Sequence, residues 1–124
     1  MPTRRIPKTG LAAGTYQDRS SFLIQLQDVL EQHFQNPEFD LDQMAAAMGV
    51  GERQLQRKLK SLTGHTPAEH LRTFRLNRSI EYLRKGGTIG VTAKAVGFSS
   101  QAYFTSCFKA QFSVTPSKFQ RGLM

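Results

Sequence analysis

Two stretches of this chain, MGVGERQLQRKLKSLTGHTPAEHLR and VGFSSQAYFTSCFKAQFSVTPSKFQR, follow one plan at a period of about 48 residues. Gly49 matches Gly97, and Leu55 and Leu59 match Phe104 and Phe108 after one extra residue in the second copy. Lys60 matches Lys109, and Thr66-Pro67 matches Thr115-Pro116. In each copy a short helix-forming run, a glycine and a second run with a polar outer face occur in order, which is the sequence appearance of a helix-turn-helix. A chain of 124 residues occupied by two such copies has room for one compact domain, or for two small lobes sharing a helix, and not for a large multi-domain enzyme.

Punctuation between the copies predicts helices throughout. Residues 1 to 19 carry Pro, Gly, Thr and scattered charge without a helical period and read as a linker or flexible tail. From Ser21 the spacing of Phe22, Leu23, Leu26, Val29, Leu30 and Phe34 marks an amphipathic helix that ends before Asn36-Pro37. Asp40 caps a short helix over 41–48, closed by Gly49, and a second short helix follows over 52–62. Thr66, Pro67 and Glu69 make a capping box with proline at the first helical position, opening a long helix to about residue 85. Thr88 caps the next short helix, Ser99 the one after it, and Thr115-Pro116 starts a last turn around Phe119. No alternating stretch is long enough to require a strand. The expected fold is therefore all-α: two helix-turn-helix subdomains, homeodomain-like, at 40–63 and 88–112, joined by a linker helix at 66–85, about seven helices in a domain spanning 20–124.

Charge narrows the partners. Seventeen Lys and Arg against 9 Asp and Glu give a net charge of +8 and a pI near 10.2, a field that attracts polyanions. After Glu81 there is no acidic residue, whereas Arg84, Lys85, Lys94, Lys109, Lys118 and Arg121 all follow it. The single cysteine, Cys107, excludes an internal disulfide framework and suits a reducing cytoplasm, whether or not a longer parent chain is membrane-anchored. No apolar run approaches the roughly 20 residues that span a bilayer, so no membrane contact by this segment is expected. His33, His65 and His70 are not at ligand spacing, and no metal or cofactor is expected. No nucleophile stands with a base, no carboxylates pair in one segment and no glycine-rich phosphate loop occurs, which argues against an enzyme.

The segments LKSLTGHTPAEHLRTFRLNRSIEYL and VGFSSQAYFTSCFKAQFSVTPSKF resemble the AraC/XylS family of bacterial transcription regulators, over about residues 22 to 121. The opening FLIQLQDVLEQHFQNPEFDLDQMAAAMGV and the phrase RQLQRKLKSLTG look most like output domains of hybrid two-component or response regulators. The resemblance implies promoter DNA as partner, both recognition helices binding it, RNA polymerase nearby, and a receiver or effector domain upstream in the parent chain. Three departures from the family pattern are Gly51 in place of a Ser cap, Ser113 in place of a turn Gly, and Thr92 with Gly90 in the second scaffold helix.

On the first recognition helix the resemblance assigns base contact to Arg53, Gln56 and Arg57. Arg suits guanine O6 and N7, and Gln suits adenine N6 and N7. The matching face of the second helix carries Gln101, Ala102, Thr105 and Ser106, smaller and less charged, with Ala102 and Thr105 suited to a thymine methyl. Phosphate contact is expected from Lys60, Arg72, Lys109 and Lys118 and from the helix N-termini at Thr66 and Thr115. Arg75 and Arg78 read as structural, held by an internal carboxylate such as Glu81. Phe104, Phe108 and Phe112 read as core, and Cys107 as a small core residue. The competing reading is a basic helical protein-interaction module, which would replace the two polar faces with an apolar patch.

Overall fold

A computed structural model describes residues 10–122, with side chains from Arg19 onward. Seven α-helices follow one another: α1 (Gly10–His33), α2 (Leu41–Met48), α3 (Glu52–Thr63), α4 (Pro67–Arg84), α5 (Ile89–Ala95), α6 (Gln101–Phe112) and α7 (Pro116–Gln120). The described residues contain no strand. Helix α1 packs on α2, α2 on α3, and α3 on α4; α5 and α6 pack on each other and on α4, and α7 closes against α4 and α6. The second and third helices form one helix-turn-helix and the fifth and sixth the other, with α4 shared between them.

Local chemistry explains the starts. Asp40 accepts from the Gln43 N–H at 3.1 Å, Thr88 from Val91 at 3.1 Å and Thr115 from Lys118 at 3.2 Å. At α4 the capping box is complete: Thr66 Oγ1 accepts from the Glu69 N–H at 3.1 Å, and the Glu69 carboxylate accepts from the Thr66 N–H at 2.9 Å. Two expectations shift. The cap of α6 is Ser100 rather than Ser99, because the Ser100 hydroxyl is the one that reaches the N–H three residues on, that of Tyr103, at 3.0 Å. Helix α1 starts at Gly10, ahead of the expected Ser21. Once the packed turns from Phe22 to Phe34 have nucleated a helix, each further residue adds one hydrogen bond without a new nucleus. Of the expected linker at 1–19, residues 1–9 lie outside the described residues and 10–19 continue the helical backbone.

One hydrophobic core runs through both subdomains. The repeat-matched residues Leu55, Leu59, Phe104 and Phe108 are all fully buried, so the period in the sequence is a period in the core. The amphipathic stripe of α1 buries Phe22, Leu26, Val29, Leu30 and Phe34. In the second subdomain the phenyl rings form a ladder of tilted and edge-on contacts, with centroid distances of 5.2 Å for Phe98–Phe104, 5.7 Å for Phe104–Phe108 and 4.7 Å for Phe108–Phe112, and Phe119 of α7 caps it 5.8 Å from Phe108. Each such ring pair adds about 0.5–1.5 kcal/mol beyond the area it buries. Cys107 is half-buried against this ladder.

Helix α4 buries Leu71, Phe74, Leu76, Ser79 and Leu83 on more than one side, as a helix must when it serves two cores. Ser79 is fully buried and donates its hydroxyl to the Leu76 carbonyl at 2.6 Å. Thr92, also fully buried, has a hydroxyl with no hydrogen-bond partner, a cost carried by the scaffold helix of the second subdomain.

Candidate nucleic-acid interface

Burying Leu55 and Leu59 dictates what α3 shows to solvent. At 100° per residue, Arg53, Arg57 and Lys60 fall on the opposite side with Gln56 beside them, and all four are exposed. Arg53 and Arg57 line a shallow open depression with Gly51, Gln54 and Lys58. Lys58 is turned toward the core side, its Nζ 4.9 Å from the centroid of the Phe22 ring. Gln54 is the residue that sequence reasoning passed over here; it shares the Arg53–Arg57 wall, and its spacing of three from Arg57 was the available signal.

Helix α6 repeats the arrangement. Gln101, Ala102, Thr105, Ser106 and Lys109, together with Thr115, line a single depression, which brings together every second-subdomain residue nominated from the sequence except Lys118. The Gln101 side chain leans back over α5: a Cβ on Gly90 would stand 2.9 Å from its Oε1, so the glycine leaves the space that the amide occupies. Tyr103, also unflagged in the sequence, is 48% exposed, packs edge-on to Phe98 at 5.5 Å and lines a groove with Arg72 and Asp40. Its signal was an aromatic outside the buried Phe104–Phe108–Phe112 spacing.

The expected phosphate ligands differ in availability. Lys60, Lys109 and Lys118 are exposed, and Arg72 is half-buried in the groove between the subdomains. Both the hydroxyl and the N–H of Thr66 are already engaged by Glu69, whose carboxylate occupies the helix N-terminus. The Thr66 N–H lowers the pKa of that carboxylate from its ordinary value. Thr115 has no such acid, since Lys118 stands at the equivalent position. At the start of α3 the Glu52 carboxyl is pushed up, first by a hydrogen bond with Asp42, then by burial and by the charges of Asp42 and Asp40, so a small acidic spot flanks the basic face.

Arg75 and Arg78 are structural, with partners other than Glu81. Arg78 pairs with Glu31 of α1, and its guanidinium lies 4.8 Å from the centroid of the Phe74 ring. Arg75 donates from Nε to the Phe34 carbonyl and from Nη2 to the Asn36 carbonyl, each at 2.8 Å. The histidines have separate local roles: His33 stacks on Phe39 at 4.7 Å, His65 pairs with Glu69 at 3.7 Å, and His70 is half-buried, its pKa lowered by burial and then by His65.

Two helix-turn-helix pairs, each with the outer face of its second helix polar and open, make this a tandem helix-turn-helix DNA-binding domain of the kind found in transcription regulators. The family model described as "Helix-turn-helix domain" matches residues 44–122, more than half of the chain, and the chain belongs to the AraC/XylS family. Transcriptional regulator Rob of Salmonella typhimurium is 37% identical over 105 residues, covering 84% of this chain and 36% of its own length. Histidine kinase P4 of Formosa agariphila is 33% identical over 93 residues, covering 74% of this chain and 7% of its own. Among solved structures, the C-terminal domain of AraT, a response regulator from Geobacillus stearothermophilus, is similar at a TM-score of 0.75 with 25% identity over 83% of this chain and 86% of that one. The chain thus spans well under two thirds of the length of these two relatives.

Proposed function

We propose that this domain is the DNA-reading output end of a larger signalling regulator and that α3 and α6 enter successive major grooves on one side of promoter DNA. The observation that carries the reading is the repeat made physical: two recognition helices with equivalent buried residues and equivalent open polar faces, mounted on one helix of 18 residues. That helix is about 27 Å long at 1.5 Å per residue, close to the roughly 34 Å between groove faces one turn apart. Arg53, Gln56 and Arg57 read bases in one groove; Gln101, Ala102, Thr105 and Ser106 meet the other; Lys60, Arg72, Lys109, Lys118 and the Thr115 terminus hold phosphates, and Thr66 contributes less than its position in the sequence suggested.

Residues 20–124 form the binding domain in this reading, and the segment before residue 20 leads from a receiver or effector domain, with RNA polymerase as a second partner. The lengths of the relatives and the C-terminal position of the AraT domain support that placement. Its work is binding rather than catalysis, in the cytoplasm where the promoter lies. Among the described residues no helix is long and apolar enough to cross a membrane. Against the rival reading, a basic protein-docking module, the exposed large apolar side chains among the described residues, Ile24, Val91 and Tyr103, sit on three different helices.

Selection from a randomised duplex library at two salt concentrations tests this. The expected motif has two short blocks about one helical turn apart, and Gln56→Ala and Arg57→Ala relax one block only. Binding without a motif that fades uniformly as salt rises would mean charge alone is acting, and the domain would not be a sequence reader.

A further inference from the structure

The two turn glycines related by the repeat are not in equivalent surroundings. Both take positive φ, 73° at Gly49 and 93° at Gly97. A Cβ on Gly49 would meet nothing within 4 Å. At Gly97 the same Cβ would collide with the Phe34 carbonyl oxygen and stand 2.7 Å from Arg75 Nε. The turn of the second helix-turn-helix is therefore seated directly on the end of α1, the helix that packs against the first.

Arg75 is what holds that seat. It rises from the shared helix α4 and is half-buried, and its planar fork spans two carbonyls beyond the last turn of α1, those of Phe34 and Asn36. The Phe34 carbonyl, just past the end of α1, lies at the negative end of the helix dipole, where a cation is favourable, whereas the Asn36 carbonyl in the following turn also accepts from the Phe39 N–H. Burial pushes the guanidinium below its ordinary value, with the charge of Tyr103 acting the other way, yet it remains cationic because arginine does not lose its proton in proteins. Lysine would offer a point charge with rotating donors and could not hold the two acceptors as a rigid fork. Phe98, next to Gly97, extends the junction into the groove lined by Phe39, Met44 and Leu71 of the first half.

We propose that Arg75 and Gly97 form a clamp that fixes the angle between the two helix-turn-helix units, so that α3 and α6 act as one rigid ruler and Arg75 is a positioning residue for operator spacing. The spacing consequence rests on the two-groove reading above; the fixed angle does not.

Two measurements separate them. Spin labels at Ser61→Cys on α3 and Ala110→Cys on α6, both exposed and outside the assigned contacts, in a Cys107→Ser background report the inter-helix distance without DNA. A single narrow distribution is expected, broadened in Arg75→Lys and more so in Arg75→Met while helical content by circular dichroism is unchanged. A distribution as narrow in Arg75→Lys as in the parent overturns the clamp, and Arg75→Lys keeps the test alive should Arg75→Met fold poorly. On the motif selected by the unmodified domain, inserting one base pair between the blocks is expected to weaken binding roughly 100-fold, the loss when simultaneous engagement is forbidden. The Arg75→Lys protein should lose under about tenfold on the same insertion, with binding to a single block unchanged. An undiminished insertion penalty in Arg75→Lys overturns the clamp; absence of any selected motif removes the two-groove reading and leaves the distance measurement to decide the clamp.

Discussion

Single side chains at the turns decide more of this domain's stability than their size suggests. Ser113 is the described non-glycine residue with positive φ, at 69°, where an L residue is strained by roughly 1–2 kcal/mol. Ser113→Gly should therefore raise the unfolding free energy by about 1 kcal/mol in urea titration; an unchanged or lower midpoint would show that the serine has a compensating partner. The paired experiment contrasts the two repeat glycines. Gly49→Ala meets open space and should lose about 1 kcal/mol for its backbone alone, whereas Gly97→Ala adds a collision and should lose roughly 2–4 kcal/mol. Equal losses would mean that the junction gives way cheaply. Arg53, Gln56, Arg57, Ala102 and Ser106 were legible as exposed, and Thr105 is half-buried beside them, because helical period separates these residues from Leu55, Leu59, Phe104 and Phe108. The work of Arg75 was not, because its partners are backbone carbonyls, which every residue has and no side-chain pattern announces.

Helices were legible where a polar cap and an apolar stripe agree, as at Asp40, Thr66, Thr88 and Thr115. They slipped where two candidates stand side by side, as at Ser99 and Ser100, or where the helix runs on beyond its apolar stripe, as in α1. The partner of Arg78 differs from the expected one for a related reason: Glu81 is near in sequence, but Glu31 on α1 meets it in a part-exposed ion pair. The start of α4 also carries a pH response. His70 has its pKa lowered below the ordinary 6.5 by burial and then by His65, so the unfolded chain takes up the proton first. The stability this neutral ring contributes is present above the ordinary histidine value and is lost as pH falls through it toward the lowered folded value. Thermal unfolding between pH 7.5 and 5.5 should therefore show a decline that His70→Gln flattens; identical pH slopes would remove His70 from the account.

Across the whole molecule, charge and architecture act on different terms of binding. The nominated phosphate cations Lys60, Lys109 and Lys118 stand exposed on the two subdomains, with Arg72 half-buried between them. Lys118→Ala should weaken binding about equally on every sequence and reduce the magnitude of the salt slope by about 1, whereas Arg57→Ala should change which sequences are preferred. A Lys118→Ala protein with an altered motif would place that lysine at a base edge. The docking of the second half onto the first recognises main chain at positions 34 and 36 through Arg75, and leaves no room for a side chain at position 97. In a chimaera, the exposed letters at 35–38 can then change so long as the path and the buried Phe34 and Phe39 are kept, while an exchanged second half must arrive with its glycine and meet an arginine. Compatibility between halves from different relatives then depends on a matched arginine and glycine as well as on a shared apolar core, and the readers they carry are free to diverge.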